Sequence, residues 1–460
     1  MSRLFNRSVL VIGAARQGLA VTRYLSRQGA HVTVTDQQPA AKLASAIESL
    51  AEYPIEWDLG GHSETVLDGK DLVCVSGGVS LTSPLVLGAI KRGIPLTNDS
   101  QLFMEAVPCR TIGITGSSGK TTTTTLVGRM AERSLPAGSK AWVGGNIGTP
   151  LIDHLDDISA KDLVILELSS FQLELMTKSP DIAAILNITP NHLDRHGTFE
   201  AYTAAKARLL HYQSPVSYSV LGRDDLTAWS LRKEVRGRLV TFSFDELPEQ
   251  STGTYLNGKQ LVWQDEEHSE MFLETDEISL RGRHNIANVL AAAAICFIAG
   301  FPAAGIAAGV KGFGGVAHRL EFVRSLNGVR WYNDSIATAP ERALAAVKSF
   351  DEPITLLLGG RDKNLDWSEL AELVHRKVNH VIVFGEAAPK ILAALGDVKT
   401  GQSLTSIDHV DSVELAVNAA KRVTEPGGVV LLSPGGTSYD AFRDFEERGE
   451  AFRKWVNLLQ

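Results

Sequence analysis

Arg110-Thr-Ile-Gly113-Ile-Thr115-Gly116-Ser117-Ser118-Gly119-Lys120-Thr121-Thr122 is the stretch from which the rest of the chain is read. Its first half is an apolar strand, its middle a glycine-rich turn, and its end the start of a helix. Glycines let the backbone wrap an anion, so that its N–H groups and the helix N-terminus face a phosphate. Lys120 supplies a mobile positive charge, and Thr121 offers a hydroxyl to a divalent cation. Gly116, Ser117, Ser118, Gly119, Lys120, Thr121 and Thr122 are therefore the expected phosphate-binding residues. The spacing departs from the commonest phosphate loop, because Ile114 stands where a glycine is usual, five places before Gly119. Such a loop indicates ATP or GTP, but not what is done with it.

Outward from this strand, short runs rich in Val, Ile and Leu alternate with amphipathic helical stretches, the pattern of parallel α/β sheets. SVLVIG, HVTVTD, DLVCVS, DLVILELSS, IAAILNIT, PITLLLGG, HVIVFG and GVVLLSPGG are the clearest strands. Each runs into Gly, Ser, Thr or Asp, which suits a strand that delivers a ligand-binding loop at its carboxyl end. Three blocks are expected: a Rossmann-like N-terminal domain (1–98), a central phosphate-loop domain (99–315) and a smaller Rossmann-like C-terminal domain (316–460). Within the central block, the segment from TFSFDE to MFLE reads as hairpins with an Asn-Gly turn, a peripheral antiparallel extension. Gly312, Gly314 and Gly315 make a hinge before the last block.

Composition narrows the function classes. The 460 residues carry 44% hydrophobic and 21% charged residues and a net charge of −8. That balance suits a globular protein and argues against a nucleic-acid partner or a basic membrane surface. Cys74, Cys109 and Cys296 lie far apart with no metal-site spacing, so they read as small apolar residues in a reducing compartment. The N-terminus lacks the features of a secretory signal, and Val289–Gly300, the longest apolar run, is too short to span a bilayer. A cytoplasmic location is expected.

Taken bottom-up, the remaining candidates keep two readings each. Glu167 ends an apolar strand, where its carboxylate can reach a phosphate-bound Mg²⁺ or simply face solvent. His192, in NHLDRHG, is either a second metal ligand or a hydrogen-bonded loop histidine. Lys206, in TFEAYTAAKARLL, reads as a solvated charge on a helix. Asn146, in GGNIGTP, could face a substrate or only shape a turn.

Together GITGSSGKTT, GGNIGTP, ELSSFQL, LNITPNHLDRHG, AYTAAKARLL, GRHNIANVLAAAA, HRLEF, NDSIAT, GGRDK and LLSPGGTSYDAFRDFEERGEAF resemble the Mur ligase family of peptidoglycan synthesis, in the family's order and over nearly the whole chain. The resemblance implies an ATP-dependent amide ligase that adds D-glutamate to UDP-N-acetylmuramoyl-L-alanine through an acyl phosphate. It implies two Mg²⁺ ions and a carbamylated Lys206, with Thr121, Glu167, His192 and Lys206 around the metals and Lys120, Glu167, His192 and Lys206 as the catalytic set. Asn288, Arg319 and Asp334 match ATP-contacting positions. Arg16, Gln17, Asp36, Ser76 and Gly77 match the UDP-binding wall, and Asn146 and His192 lie close to the muramoyl substrate. Thr338, Lys363, Ser438, Tyr439 and Phe445 fall where the family holds the incoming glutamate. A cytoplasmic monomer acting on small molecules, without membrane insertion, is expected.

Three positions depart from the family pattern. Ile336 stands where a lysine is usual, Tyr439 where a smaller aliphatic residue is common, and Gly222 replaces an asparagine at the end of a strand, a change read as peripheral to the site. The loss of a cation at position 336 leaves L-glutamate as an alternative substrate. A nicotinamide dehydrogenase is a remote alternative, suggested by GAARQG with Asp36 at the end of the second strand. Ala15 stands in that motif where the middle glycine is needed for close approach to a pyrophosphate.

Overall fold

The computed structural model describes residues 3–460, and its strands form three sheets. The first contains β1 (Ser8–Ile12), β2 (His31–Asp36), β3 (Ile55–Leu59), β4 (Leu72–Val75) and β5 (Leu96–Thr97), in the order β3-β2-β1-β4-β5 and parallel throughout. Chain direction across the sheet reverses at β1, which opens a crevice at the carboxyl ends of β1 and β4. The helix Arg16–Arg27 packs closely over that end. A Cβ on Gly18 would lie 1.9 Å from the carbonyl oxygen of Gly13, so no side chain fits at this crossing.

The second sheet contains β6 (Arg110–Thr115), β7 (Ala141–Gly145), β8 (Leu163–Glu167), β9 (Ile182–Ile185), β10 (Tyr218–Gly222), β11 (Arg238–Ser243), β12 (Gly253–Asn257), β13 (Gln260–Gln264) and β14 (Ser269–Glu274). Their order is β14-β13-β12-β11-β10-β9-β6-β8-β7. β6 and β9 are buried along nearly their whole length, as expected for parallel strands covered on both faces. The expected antiparallel extension is β12–β14, at one edge of the sheet. Its first hairpin pairs Asn257 with Gln260, so the turn residues are Gly258-Lys259 rather than the expected Asn-Gly. The long apolar run lies in the helix Arg283–Ala299, with Val289 through Cys296 fully buried. Cys74 is likewise buried, and Cys109 half-buried. Among the described residues no helix is long and apolar enough to cross a membrane.

The third sheet contains β15 (Glu321–Leu326), β16 (Val329–Asn333), β17 (Ile354–Gly359), β18 (Val378–Phe384), β19 (Ser406–His409) and β20 (Val429–Gly435), in the order β15-β16-β20-β17-β18-β19. Only β15 runs antiparallel to its neighbour. β17 and β20 are completely buried, so their carboxyl ends deliver loops from a rigid base.

Two compact units result. One holds the first two sheets, up to Ile278 together with Arg283–Gly312; the other holds the third sheet, Ser279–Gly282 together with Phe313–Gln460. Within the first unit, a continuous apolar cluster runs from Val9 and Val11 through Leu102 and Phe103 to Leu166 and Ile185. Polar contacts pin the two sheets further. The Arg23 guanidinium forks onto Asp153, with Nε and Nη2 donating at 3.0 and 2.6 Å, and Asn98 Nδ2 donates to the carbonyl of Gln172 at 2.7 Å.

Gly18→Ala should destabilise the first unit by more than about 2 kcal/mol, because backbone cannot yield to the new methyl. A thermal melt showing an unchanged midpoint would contradict this packing.

Candidate active site

β6 ends at Thr115, and Gly116–Gly119 turn the chain into the helix Lys120–Ser134. Gly119 sits at φ +81°, and a Cβ there would approach Asn288 Oδ1 to 2.3 Å, so both conformation and space demand glycine. Asn288, from the buried helix Arg283–Ala299, is thereby brought against the loop; its Nδ2 donates to Asn285 Oδ1 at 3.0 Å. The backbone N–H groups of Ser117 and Ser118 both donate to Asn187, one to its main-chain carbonyl and one to Oδ1, each at 2.9 Å. Lys120 Nζ donates to the carbonyls of Gly116 and Ser117 at 2.9 and 3.2 Å.

Glu167 closes β8, in register with Ile114 on β6 and Gly145 on β7. It is only 2% exposed, which rules out the solvent-facing reading. Thr121 Oγ1 donates to its Oε2 at 2.7 Å, and Asn146 Nδ2 donates to its Oε1 at 2.8 Å. The Asn146 N–H also donates to the Glu167 carbonyl at 2.8 Å. The phosphate loop's helix, the strand-end acid and the GGNIG loop thus meet at one carboxylate.

Lys206 is not a solvated charge. It projects from the helix Phe199–His211 into the interior, with 1% exposure, and its Nζ donates to Thr115 Oγ1 and the Gly116 carbonyl at 3.2 and 3.0 Å. The Tyr202 ring lies 4.7 Å from the same nitrogen. Burial, with the charge of Lys120 added, pushes the amine down to about 7 against the opposing pull of Glu167.

His192 stands at the rim. It caps the short helix Leu193–His196 in the left-handed region, φ +52°, with its ring edge-on to Phe171 at 5.2 Å. Around it lies a cluster that sequence reasoning missed. His196 stacks on Phe171 at 5.1 Å, shares a hydrogen bond with Ser170 Oγ at 2.9 Å, and faces Glu174 Oε1 at 3.0 Å. The Arg195 guanidinium covers Phe171 at 3.8 Å while Nη2 donates to the Val79 carbonyl. Arg195 and His196 lie in the same NHLDRHG run as His192, but nothing local announced their partners.

At the first sheet, Arg16 and Gln17 begin the helix Arg16–Arg27, Asp36 ends β2, and Ser76 and Gly77 follow β4. Asp36 accepts from the Ala14 N–H, and Ser76 Oγ donates to the Gly13 carbonyl at 3.3 Å. A cleft of about 620 Å³ opens beside them, lined by Gly13, Asp36, His62 and Gly78–Ser80. It lies at the crevice where the strand order reverses, a preferred ligand position in such sheets.

In the second unit, Asp334 follows β16 and is 5% exposed. It accepts from the Leu320 N–H at 3.1 Å and from Ser433 Oγ at 2.8 Å. Burial raises its carboxyl to about 7, despite these donors and the charges of Arg319 and Arg342. Thr338 closes the same loop. Ser438, buried, lies in the loop after β20, and Phe445 begins the helix Phe445–Leu458. Arg319, Lys363 and Tyr439 are exposed.

Three sheets, with a glycine-rich turn running into a helix at the carboxyl edge of the second, define a modular α/β protein. Family models match in chain order: the Mur ligase MurD-like N-terminal domain over residues 7–98, the Mur ligase middle domain over 114–296, and the Mur ligase glutamate ligase domain over 318–436. The chain belongs to the Mur ligase family. It is 41% identical over 458 residues to the UDP-N-acetylmuramoylalanine–D-glutamate ligase of Geotalea uraniireducens, covering 99% of this chain and 98% of that protein. The enzyme of the same name from Pelotomaculum thermopropionicum is 40% identical over 455 residues, again at 99% and 98% coverage. The solved MurF ligase of Thermotoga maritima in complex with ADP shares the fold, with a TM-score of 0.53, 18% identity and 99% coverage of both chains.

The raised carboxyl of Asp334 has a stability consequence. Its folded-state value of about 7 exceeds the ordinary 3.8, so the folded state holds the extra proton between those limits. The stabilisation is present at low pH and is lost as pH rises through about 7. Asp334→Asn lacks this dependence. Its thermal stability relative to the parent should therefore improve by about 2 kcal/mol between about pH 5 and about pH 8. A constant difference across that range would show that Asp334 is ionised throughout.

Proposed function

We propose that this chain joins the alanyl carboxylate of UDP-N-acetylmuramoyl-L-alanine to the amine of D-glutamate, using ATP, in the synthesis of a peptidoglycan precursor. One observation carries the reading: Lys120, Thr121, Glu167, Asn146 and Lys206 converge on a single loop edge in a chain related end to end to D-glutamate ligases. A carboxylate resists attack by an amine, because it is a poor electrophile with a poor leaving group. Activation as an acyl phosphate removes both obstacles, and glutamate's amine then displaces phosphate through a tetrahedral intermediate.

The chain's residues divide this work. In the first unit the loop Gly116–Thr122 wraps the nucleotide phosphates, Lys120 follows the charge on the transferred group, and Asn288 stands beside the loop. In the second unit, taken by itself, Arg319 and Asp334 are the ATP-contacting positions that the family resemblance implies. Arg16, Gln17, Asp36, Ser76 and Gly77 hold the UDP moiety beside the cleft of the first sheet. Asn146 and His192 orient the muramoyl end. Thr338, Lys363, Ser438, Tyr439 and Phe445 hold the amino acid.

The donor set fits magnesium. Thr121 and Glu167 offer hard oxygens already in contact with each other, and among the described residues no group of three or more His, Cys, Asp or Glu forms an all-protein cage. That suits an ion that keeps water and phosphate oxygens in its shell. Thr121 and Glu167 would hold one ion, and His192 with carbamylated Lys206 a second. When bound, such ions supply Lewis-acid neutralisation of phosphoryl charge. Lys206 fits carbamylation because it is buried, bonded only to neutral oxygens, and poised near 7. Its neutral amine adds to the carbon of CO₂: an N–C bond forms, one C–O π bond breaks and one proton leaves, so a neutral amine becomes an anion. The functional domains are 1–98, 99–315 and 316–460, in a cytoplasmic monomer.

The deciding assay is phosphate release with UDP-N-acetylmuramoyl-L-alanine and ATP, comparing D-glutamate, L-glutamate, aspartate and meso-diaminopimelate. D-glutamate alone should support turnover, and a preference for L-glutamate would overturn the stereochemical assignment. Lys120→Ala should reduce kcat by at least about a thousandfold; substantial residual turnover would remove the phosphate loop from the chemistry. Lys206→Ala should be nearly inactive and partly restored by acetate, which supplies the missing carboxylate. Undiminished activity would leave Lys206 a purely structural residue.

A further inference from the structure

The second unit buries a cation that the site residues above leave unexplained. Arg448, on the helix Phe445–Leu458, is 0% exposed. Its Nε donates to Ser335 Oγ at 2.9 Å, its Nη2 to the Ser335 carbonyl at 2.8 Å, and its Nη1 to the Gly436 carbonyl at 3.1 Å. Every one of these acceptors is neutral. Taking a guanidinium out of water is costly, so its hydrogen bonds must be well placed to keep it there. Burial lowers its value only to about 10, with Asp440 opposing, so it stays charged at neutral pH.

Those acceptors belong to loops that share one edge of the sheet. Ser335 lies between Asp334 and Thr338 in the loop after β16, and its Oγ donates to the carbonyl of Phe445 at 2.8 Å. Gly436 leads directly to Thr437 and Ser438 after β20. Thr437 exchanges backbone hydrogen bonds with Arg361 at 2.8 and 2.9 Å, in the loop after β17 that carries Lys363. The Gly435 N–H donates to the Ala337 carbonyl at 2.8 Å, closing the gap between the first two loops. A planar fork can hold several acceptors at fixed spacing, which an ammonium cannot.

We propose that Arg448 is a positioning residue for the amino-acid substrate: without touching it, the guanidinium fixes the spacing of Thr338, Ser438 and Phe445. The inference rests on the reading of those residues as the amino-acid pocket. Loosening the fork should weaken binding of the amino acid while leaving the residues of the first unit unaffected.

The test is steady-state kinetics on the full chain, varying D-glutamate, ATP and UDP-N-acetylmuramoyl-L-alanine separately, for Arg448→Lys, Arg448→Met, Ser335→Ala and Thr338→Ala. Arg448→Lys should raise KM for D-glutamate about tenfold, leave KM for UDP-N-acetylmuramoyl-L-alanine within about twofold, and raise KM for ATP, through Asp334 beside Ser335, by less than the D-glutamate value. Ser335→Ala, which removes one acceptor and leaves the charge in place, should raise the same KM about threefold. Arg448→Met should be worse than Arg448→Lys. Equal changes in all three KM values, or a lower melting point and kcat with KM for D-glutamate unchanged, would overturn the proposal. If the Arg448 variants do not fold, Ser335→Ala decides alone, and an unchanged KM for D-glutamate sinks the idea. Thr338→Ala separates the two levels. If it raises that KM while the Arg448 and Ser335 variants do not, only the role of Arg448 fails; if it does not, the pocket reading fails and the inference with it.

Discussion

Glu167 is a buried carboxylate at the end of a buried strand, and the oxygens of such a group need hydrogen-bond donors. It finds them in Thr121 and Asn146, which come from two different connections of the same sheet. That requirement explains much of the local architecture. β8 must lie between β6 and β7, which places the carboxylate between the helix start after β6 and the loop after β7. Any movement of the Thr121 helix strands Oε2, and any movement of the GGNIG loop strands Oε1. The proposed phosphate loop is thereby held in place by a residue outside it.

The two buried cations show how the same physical cost is met differently. Lys206 and Arg448 both bond only to neutral oxygens. A lysine answers desolvation by giving up its proton near neutrality, which leaves a nucleophilic amine suited to covalent modification. An arginine cannot, so it retains charge and geometry and serves as a fixed strut. The residue types therefore match the tasks assigned to them: chemistry beside the phosphate loop for one, spacing of loops for the other.

Much of the fold was legible because both faces of a parallel strand are buried. All nine apolar runs read as strands in the sequence are strands, from β1 to β20. Less visible were the edges and glycine-rich strands: β3 is IEWDL with only partial burial, β5 has two residues, and β7 is AWVGG. The phosphate loop was legible for the same local reason, since strand, turn and helix are contiguous. Lys206 was not. Its burial depends on Thr115 and Gly116, some 90 residues earlier, and helix periodicity alone leaves a lysine in solvent. Arg448 meets Ser335 across 113 residues, and its motif carries no mark of that contact. The resemblance to the family raised Lys206 to notice but passed over Arg448, because it transfers residues by motif and not by the interactions that hold them.

Ile336 shows how far a departure in sequence can be separated from a departure in structure. Its N–H donates to the His318 carbonyl at 3.1 Å, and its own carbonyl accepts from the Thr338 N–H at 2.9 Å and from Arg342 at 3.3 Å. The loop is thus held by its backbone, and the side chain at 336 can change without moving Thr338 or Asp334. The positive charge absent from position 336 is also present close by, on the Arg342 guanidinium in the first turn of the helix Pro340–Lys348. Isoleucine here leaves the loop's frame intact and its surroundings cationic, which is compatible with the proposed dicarboxylate amino acid. The D-glutamate assignment, carried by full-length relatives at 40 and 41% identity, therefore needs no compensating change in the loop itself.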